Sequence, residues 1–194
     1  MPRAGLTVER VVAAAADLAD EVGFDGVTLS ALARRFGVKD ASLYSHVRSL
    51  RDLRSRMALL AGAEMIDRIA VAVAGRSGKE ALVAFAGAYR EYALAHPGRY
   101  AATQIRVDQS LVADSPALRR TAEITYGMLR AYDLDEPDLT DAVRLLRAAF
   151  HGYCALEAGG GFGAPRDVQQ SWDRAVDALH VTLEQWPRTK ERGD

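Results

Sequence analysis

The sequence predicts an all-α fold of about nine helices: three in a compact N-terminal unit, one long connector and five in a larger C-terminal bundle. Three observations lead there. Apolar residues recur at helical spacing along most of the 194 residues, and strand-like alternation is nearly absent. Capping residues and glycine stops bracket the periodic segments. Apolar residues make up 49% of the chain, enough for a sizeable core.

Each element has its own justification. Thr7 is an N-cap ahead of Val11, Val12, Ala15, Leu18, Ala19 and Val22, and Gly23 stops that helix. Thr28 caps a second helix to about Phe36, and a third covers about Lys39 to Val47. Ser49 opens a connector helix over about 49–74, with Leu50, Leu53, Met57, Leu60, Ile66, Ile69 and Val73 facing inward, and residues 75–78 break it. From Lys79 a helix runs through Leu82, Phe85, Tyr89 and Tyr92 to His96, because Pro97 disfavours α geometry in the residue before it. A short helix over about Gly98 to Ile105 follows. Ser115-Pro116 is a capped start with proline in the first turn, continued by Leu118, Ala122, Thr125, Leu129 and Tyr132. Asp135-Glu136-Pro137 opens the next helix, through Leu139, Val143, Leu146, Phe150, Tyr153 and Leu156, and Gly159-Gly160-Gly161 ends it. Asp167 and Gln170 form a capping-box pattern before a last helix through Trp172, Val176, Leu179, Leu183 and Trp186. The tail from Pro187 is expected to fray.

The stretch TLSALARRFGVKDASLYSHVRSLRDL, Thr28 to Leu53, is the most informative. Ala33 stands four residues before Gly37 and Leu43 six after it, the spacing of a helix-turn-helix. A small residue is needed where two helices approach closely, and Gly37 can take φ > 0 at the turn. Val38 and Leu43 plug the angle between the helices. The second helix keeps an outward face that can lie in a DNA major groove.

Charge points the same way. Residues 34–56 hold seven cations (Arg34, Arg35, Lys39, Arg48, Arg51, Arg54, Arg56) against Asp40 and Asp52, which is 7 − 2 = +5. The chain as a whole carries −1, so the remainder carries −6. A basic segment on an otherwise acidic protein is a directed electrostatic footprint; a solvated helix face is the other reading.

Several classes drop out. The one cysteine, Cys154, allows no intrachain disulfide and no cysteine-based metal site, which suits a reducing cytoplasm. No apolar run approaches the roughly 18 residues of a membrane span, and no long apolar h-region marks a signal peptide. His46, His96, His151 and His180 are scattered, so neither metal nor cofactor is expected. No H-E-x-x-H, phosphate-binding loop, G-x-G-x-x-G or G-x-S-x-G is present, which argues against an enzyme. The run Gly159 to Gly163 follows a helix and lacks the Lys-Ser/Thr of a phosphate loop, so it reads as a helix stop and hinge. An all-α enzyme and a helical dimerisation module without DNA binding remain as competing functions.

On these residues the N-terminal portion resembles the tetracycline-repressor (TetR) family of bacterial transcription regulators. The likeness covers about Thr7 to Leu53. It rests on the order of G-F-x-x-x-T from Gly23, A-x-x-x-G-V from Ala33, L-Y-x-H from Leu43 and S-x-x-x-L from Ser49. Three positions depart from the family pattern: Val47 replaces an aromatic, Leu50 a lysine that commonly lies near phosphate, and Lys39 a serine. Arg48 or Arg51 can stand in for the lysine. Phe150-His151-Gly152-Tyr153, followed by LEAGGGFG, resembles a subgroup with a Trp/Phe-His-Gly motif in its C-terminal domain.

The resemblance implies a cytoplasmic, ligand-responsive regulator, most often a repressor. Residues 1–54 would form the DNA-binding domain and 55–194 the ligand-binding and dimerisation domain. Its partners would be double-stranded operator DNA with palindromic symmetry, a small and mostly apolar effector, and a second copy joined through the last two long helices. Small residues there (Ala142, Ala148, Ala149, Gly152, Ala155) permit close helix approach. Effector binding would tilt the connector and spoil the spacing of about 34–36 Å between the two recognition helices.

Within the third helix, Leu43 and Val47 turn inward while Lys39, Asp40, Ser42 and His46 face outward. Lys39 can donate to guanine or phosphate, and Ser42 to base edges or phosphate. The family implies phosphate contacts for Tyr44; His46 can donate to phosphate. Tyr44 can otherwise pack between helices, and His46 can be a spacer. Thr28 and Ser49 stand at helix N-termini, where free N–H groups attract an anion, or they are plain caps. Asp40 reads either as dipole compensation or as a cytosine contact. Arg34, Arg48 and Arg51 supply salt-dependent affinity. The effector candidates are polar or aromatic groups on apolar helices: Tyr89, Tyr92, His96, Tyr100, Gln104, Arg106, Tyr126, Phe150, His151 and Tyr153. The same aromatics read equally as core.

Overall fold

The computed structural model describes residues 5–112 and 115–187. Among them every regular element is helical: α1 (Val8–Val22), α2 (Leu29–Phe36), α3 (Asp40–Leu43), α4 (Leu50–Val73), α5 (Gly78–Ala95), α6 (Pro97–Ala102), α7 (Gln109–Val112), α8 (Pro116–Leu129), α9 (Asp138–Ala158) and α10 (Val168–Glu184). Short 3-10 turns cover Phe24–Gly26 and Arg130–Tyr132. All-α is therefore the fold, with one α-helix more than expected. The addition is α7, which starts where the Asp108 carboxylate accepts from both the amide and the hydroxyl of Ser110. That turn is local and has no periodicity to announce it. The tail after Pro187 lies outside the described residues.

Capping follows the local chemistry. The Thr7 hydroxyl accepts from the Arg10 amide (3.3 Å), Thr28 from Ala31 (3.1 Å) and Ser49 from Asp52 (3.1 Å). The Asp167 carboxylate accepts from the Gln170 amide at 2.8 Å. At the other end of α9, Gly160 adopts φ +68° and the amides of Gly161 and Gly160 return to the carbonyls of Leu156 and Glu157. This Schellman closure is why the glycine run ends the helix.

The helix expected over Lys39 to Val47 is shorter. Regular α geometry covers Asp40–Leu43, and a hydrogen-bonded turn carries the chain on, with His46 N–H and Val47 N–H both on the Leu43 carbonyl. Ser45 takes part, its hydroxyl donating to the Ser42 carbonyl at 2.8 Å. A serine that bonds nearby backbone competes with helix continuation. Helix α6 likewise stops at Ala102 rather than Ile105, and α10 at Glu184 rather than Trp186.

The chain divides into two compact units, one within Met1–Ile66 and Ala95–Arg120, the other within Asp67–Leu94 and Thr121–Asp194. The first is built on α1, whose Val11, Val12, Ala15, Leu18 and Ala19 are buried together with Leu32, Ala33, Leu43, Val47, Leu53, Met57 and Ala102. The second has its own core, including Leu82, Phe85, Tyr89, Leu129, Leu146, Phe150, Trp172, Val176 and Leu183. No helix among the described residues is long and apolar enough to cross a membrane.

Candidate functional site

The helix-turn-helix is set by one turn and one buried face. Gly37 sits at φ +65°, ψ +34°, and the amides of Val38 and Gly37 close on the carbonyls of Ala33 and Arg34. A residue with a Cβ is strained there, which is why glycine occupies the turn. Beyond it Leu43 (0% exposed) and Val47 (1%) enter the core. The family's aromatic at position 47 thus has a buried valine in its place, and Leu50 packs half-buried against the same core. The Ser30 hydroxyl donates to the Asp40 carboxylate and ties α2 to the first turn of α3.

Of the ten DNA-contact candidates, Thr28, Arg34, Lys39, Asp40, Ser42, Tyr44, Arg48, Ser49 and Arg51 are exposed and His46 is half-buried. All belong to the first unit. Tyr44, at 58% exposure, lies on the surface rather than packed between helices. Thr28 and Ser49 are both engaged as caps.

Ion pairing sorts the basic segment into two groups. Arg35 pairs with Glu21 at 2.8 Å, Arg56 with Asp52 at 3.0 Å, and Arg54 reaches Asp25 at 3.8 Å while lying over the Phe24 ring. These three are structural. Arg34, Lys39, Arg48 and Arg51 form no ion pair among the described residues. Arg51 and Arg48 add a weak pull on Asp108, whose carboxyl is held below its ordinary range mainly by the Ser110 amide and hydroxyl.

Sequence reasoning missed part of this surface. An open groove of about 830 Å³ is lined by Gly5, Leu6, Arg10, Phe36, Val38, Lys39, Ala41, Ser42, Ser45 and His46. Ala41 lies two residues before Leu43 within α3, about 200° around the helix from it, and Ser45 lies in the turn that follows α3. Ala41 therefore points away from the core, and both residues are exposed. A helical wheel centred on Leu43 contains the signal for Ala41, whereas Ser45 lies beyond the end of that helix.

The same unit contains an unexpected close approach. A Cβ on Gly98 of α6 would lie 2.0 Å from the Ala19 carbonyl oxygen of α1. Around this contact the Asp20 carboxylate accepts from the Arg99 amide at 2.8 Å and pairs with the Arg99 guanidinium, which also reaches Asp17 (2.6 Å) and Glu64 (3.2 Å). Burial opposes the Arg99 charge, but Asp17, Asp20 and Glu64 outweigh it and hold the group above its ordinary pKa. His96, at the N-cap of α6, has Nδ1 3.3 Å from Asp20.

The effector candidates are distributed over both units. His96, Tyr100, Gln104 and Arg106 belong to the first unit, and Tyr89, Tyr92, Tyr126, Phe150, His151 and Tyr153 to the second. In the second unit Phe150 is ringed by Phe85 (6.2 Å between centroids), Tyr89 (5.6 Å) and Trp172 (5.7 Å). Tyr153 joins through Trp172 (4.9 Å) and Phe162 (4.7 Å), its hydroxyl donating to the Val168 carbonyl at 3.1 Å. Arg90 lies over Trp172 at 5.4 Å and holds Glu157 through two hydrogen bonds of 2.7 and 2.6 Å. Tyr92 is fully buried, Tyr126 is 41% exposed and His151 is half-buried. Among the described residues no group of His, Cys, Asp and Glu is placed to hold a metal ion.

Comparison with known proteins agrees with this geometry. Residues 11–57 match the model for bacterial regulatory proteins of the tetR family, and residues 82–179 that for the tetracyclin repressor-like C-terminal domain. The chain is 32% identical over 173 residues to the uncharacterized HTH-type transcriptional regulator YobS of Bacillus subtilis (strain 168), spanning 88% of each protein. It is 36% identical over 158 residues to the uncharacterized HTH-type transcriptional regulator Rv0681 of Mycobacterium tuberculosis, spanning 81% of this chain and 72% of that protein. Its fold is similar to that of the Streptomyces coelicolor TetR family protein ActR in complex with (S)-DNPA, with a TM-score of 0.69 and 18% identity over 93% of this chain and 98% of that one. With its helix-turn-helix and C-terminal helical domain both matched, the chain belongs to the TetR family of DNA-binding transcriptional regulators and is not an enzyme.

Proposed function

We propose that this chain is a cytoplasmic, effector-released repressor that binds a palindromic operator as a homodimer. The observation that carries the reading is the sorting of the basic segment. Arg35, Arg54 and Arg56 are used inside the fold, while Arg34, Lys39, Arg48 and Arg51 remain exposed around α3. Surface cations that form no ion pair among the described residues, beside an exposed recognition helix, suit phosphate contact. Thr28, Ser49, Tyr44 and His46 then complete the backbone contacts, with Lys39 and Ser42 at base edges.

A dimer through α9 and α10 is supported by apolar groups they leave uncovered in the single chain: Leu145 (37%), Leu156 (51%) and Val181 (47%), beside exposed Ala148 and Ala155. The Phe150-His151-Gly152 segment lies on α9, with Phe150 turned into the core. An apolar or aromatic effector with one polar handle fits the aromatic second unit, and the solved ActR complex is a precedent for a small molecule on this fold. Tyr89, Phe150 and Tyr153 are the candidates that come together there.

The test is a fluorescence-anisotropy titration with the DNA upstream of the protein's own gene, a scrambled duplex beside it, at several salt concentrations and with Lys39→Ala. Selective binding that weakens with that change supports the reading. Equal, feeble binding to both duplexes, followed by failure of random-site selection to yield any preferred sequence, overturns it.

A further inference from the structure

We infer that Asp108 is a built-in brake on operator affinity: the segment between α6 and α7 carries its carboxylate to the DNA-facing end of α4, where it competes with phosphate for Arg51 and Arg48. The inference rests on the reading that these two arginines contact operator phosphates.

The segment is tied to α4 from within the fold. The Asp108 amide donates to the Ser55 hydroxyl at 3.2 Å. Ser55 is only 1% exposed, so this bond is sheltered from water and fixes where residue 108 lies. Ser55 stands four residues after Arg51 on α4, and residues four apart lie on one face of a helix with their Cβ atoms about 6 Å apart. Residue 108 is therefore held about one helical turn from the root of Arg51. Ser110 then orients the carboxylate, its amide and hydroxyl both donating to one oxygen, at 3.0 and 2.9 Å. These are the bonds that start α7, the helix that sequence periodicity does not announce.

The charge at this point is permanent. The two Ser110 donors hold the carboxyl below its ordinary range, and Arg51 and Arg48 add to them. Asp108 is thus an anion throughout the neutral range in which DNA binding is measured. Arg51 and Arg48 form no ion pair among the described residues, so the carboxylate attracts them without occupying them. A phosphate that reaches either arginine enters the field of Asp108, and like charges repel. Asp52, the acidic residue within the first turn of α4, is used differently. It accepts from the Arg48 amide at 3.0 Å and pairs with Arg56 at 3.0 Å, so its charge is matched inside the fold. Salt screens exposed charges over about 10 Å at 0.1 M, so the brake is strongest at low salt.

The experiment uses the full chain and a preferred duplex selected from random sequences, with affinity read by fluorescence anisotropy at about 50 and about 300 mM salt. Asp108→Asn removes the charge and keeps an acceptor for Ser110. Its affinity should rise about twofold per bound chain at the lower salt, the size of a unit-charge interaction across about 10 Å of water-like surroundings. The gain should shrink at the higher salt. Asp108→Ser, a second neutral residue that can accept from Ser110, should behave alike, and thermal unfolding should show both folds intact. In a chain that already carries Arg51→Ala, the gain should fall by half or more. Glu91→Gln, which removes the same charge from the exposed side of α5, should leave affinity unchanged. Selective binding that is equal or weaker in both Asp108 variants overturns this inference and leaves the regulator reading standing. A gain that Glu91→Gln reproduces, or that Arg51→Ala does not diminish, does the same. Failure to select any duplex overturns both.

Discussion

At the residue scale, polar groups here are divided between holding the fold and facing outward, and neighbours in sequence fall on opposite sides. Arg34 is exposed without an ion pair among the described residues, while Arg35 is spent on Glu21. Ser42 is exposed, and Ser45 donates back to it. Cys154 is an example of a group removed from chemistry. Burial, with Glu157 adding to it, raises its thiol pKa to about 11. A raised pKa keeps the neutral thiol, and the thiolate is the reacting form. At pH 8 the native protein should therefore react with a disulfide reagent about a hundredfold more slowly than the urea-unfolded chain, from ionisation alone. Equal rates in the two states would mean that the thiol is neither buried nor shifted.

At the element scale, α6 is the short helix that matters most to the first unit. It has six residues, too few to be stable alone. Its position is held by the Gly98 contact with the Ala19 carbonyl and by Asp20, which takes the Arg99 amide as a capping residue supplied from another helix. Backbone cannot yield as a flexible side chain can. Gly98→Ala should therefore cost about 3 kcal/mol or more, at the upper end of overpacking penalties, read as a lower urea midpoint with an unchanged m-value. Gly87→Ala, on the exposed side of α5, meets nothing within 4 Å and should be neutral or slightly stabilising in the same assay. A Gly98→Ala protein as stable as the parent would show that α6 does not dock in this way.

At the scale of the whole molecule, net charge is a poor guide and its distribution a good one. The chain carries −1, yet its recognition helix is surrounded by four exposed cations that form no ion pair among the described residues. If each neutralises a phosphate, the slope of log affinity against log salt should be about −3.6 per bound chain. Arg48→Ala should reduce it by about one without changing which bases are preferred. Arg56→Ala, whose guanidinium is used on Asp52, should leave the slope unchanged. A slope that moves equally with both would show that field strength rather than contact governs affinity.

What the sequence by itself determined was everything encoded within a few residues. The caps at Thr7, Thr28, Ser49 and Asp167, the left-handed turn at Gly37, the glycine stop after α9 and the inward faces of α1 and α4 are properties of short windows, and so all-α and helix-turn-helix were legible. Even the outward direction of Ala41 was available to a wheel drawn about Leu43. Helix ends were less legible where serine and asparagine-like turn chemistry competes with periodicity, as at Ser45 and Asp108. Only the tertiary structure decided which cations are used inside the fold, because Arg35 meets Glu21 and Arg54 meets Asp25 across 14 and 29 residues of sequence. It alone placed Gly98 against Ala19, and it alone gathered Phe85, Tyr89 and Trp172 around Phe150. The physical reason is common to all three. An ion pair, a steric contact or a ring stack depends on the positions of two distant segments, and those positions are set by the packing of the whole core rather than by either segment's own residues.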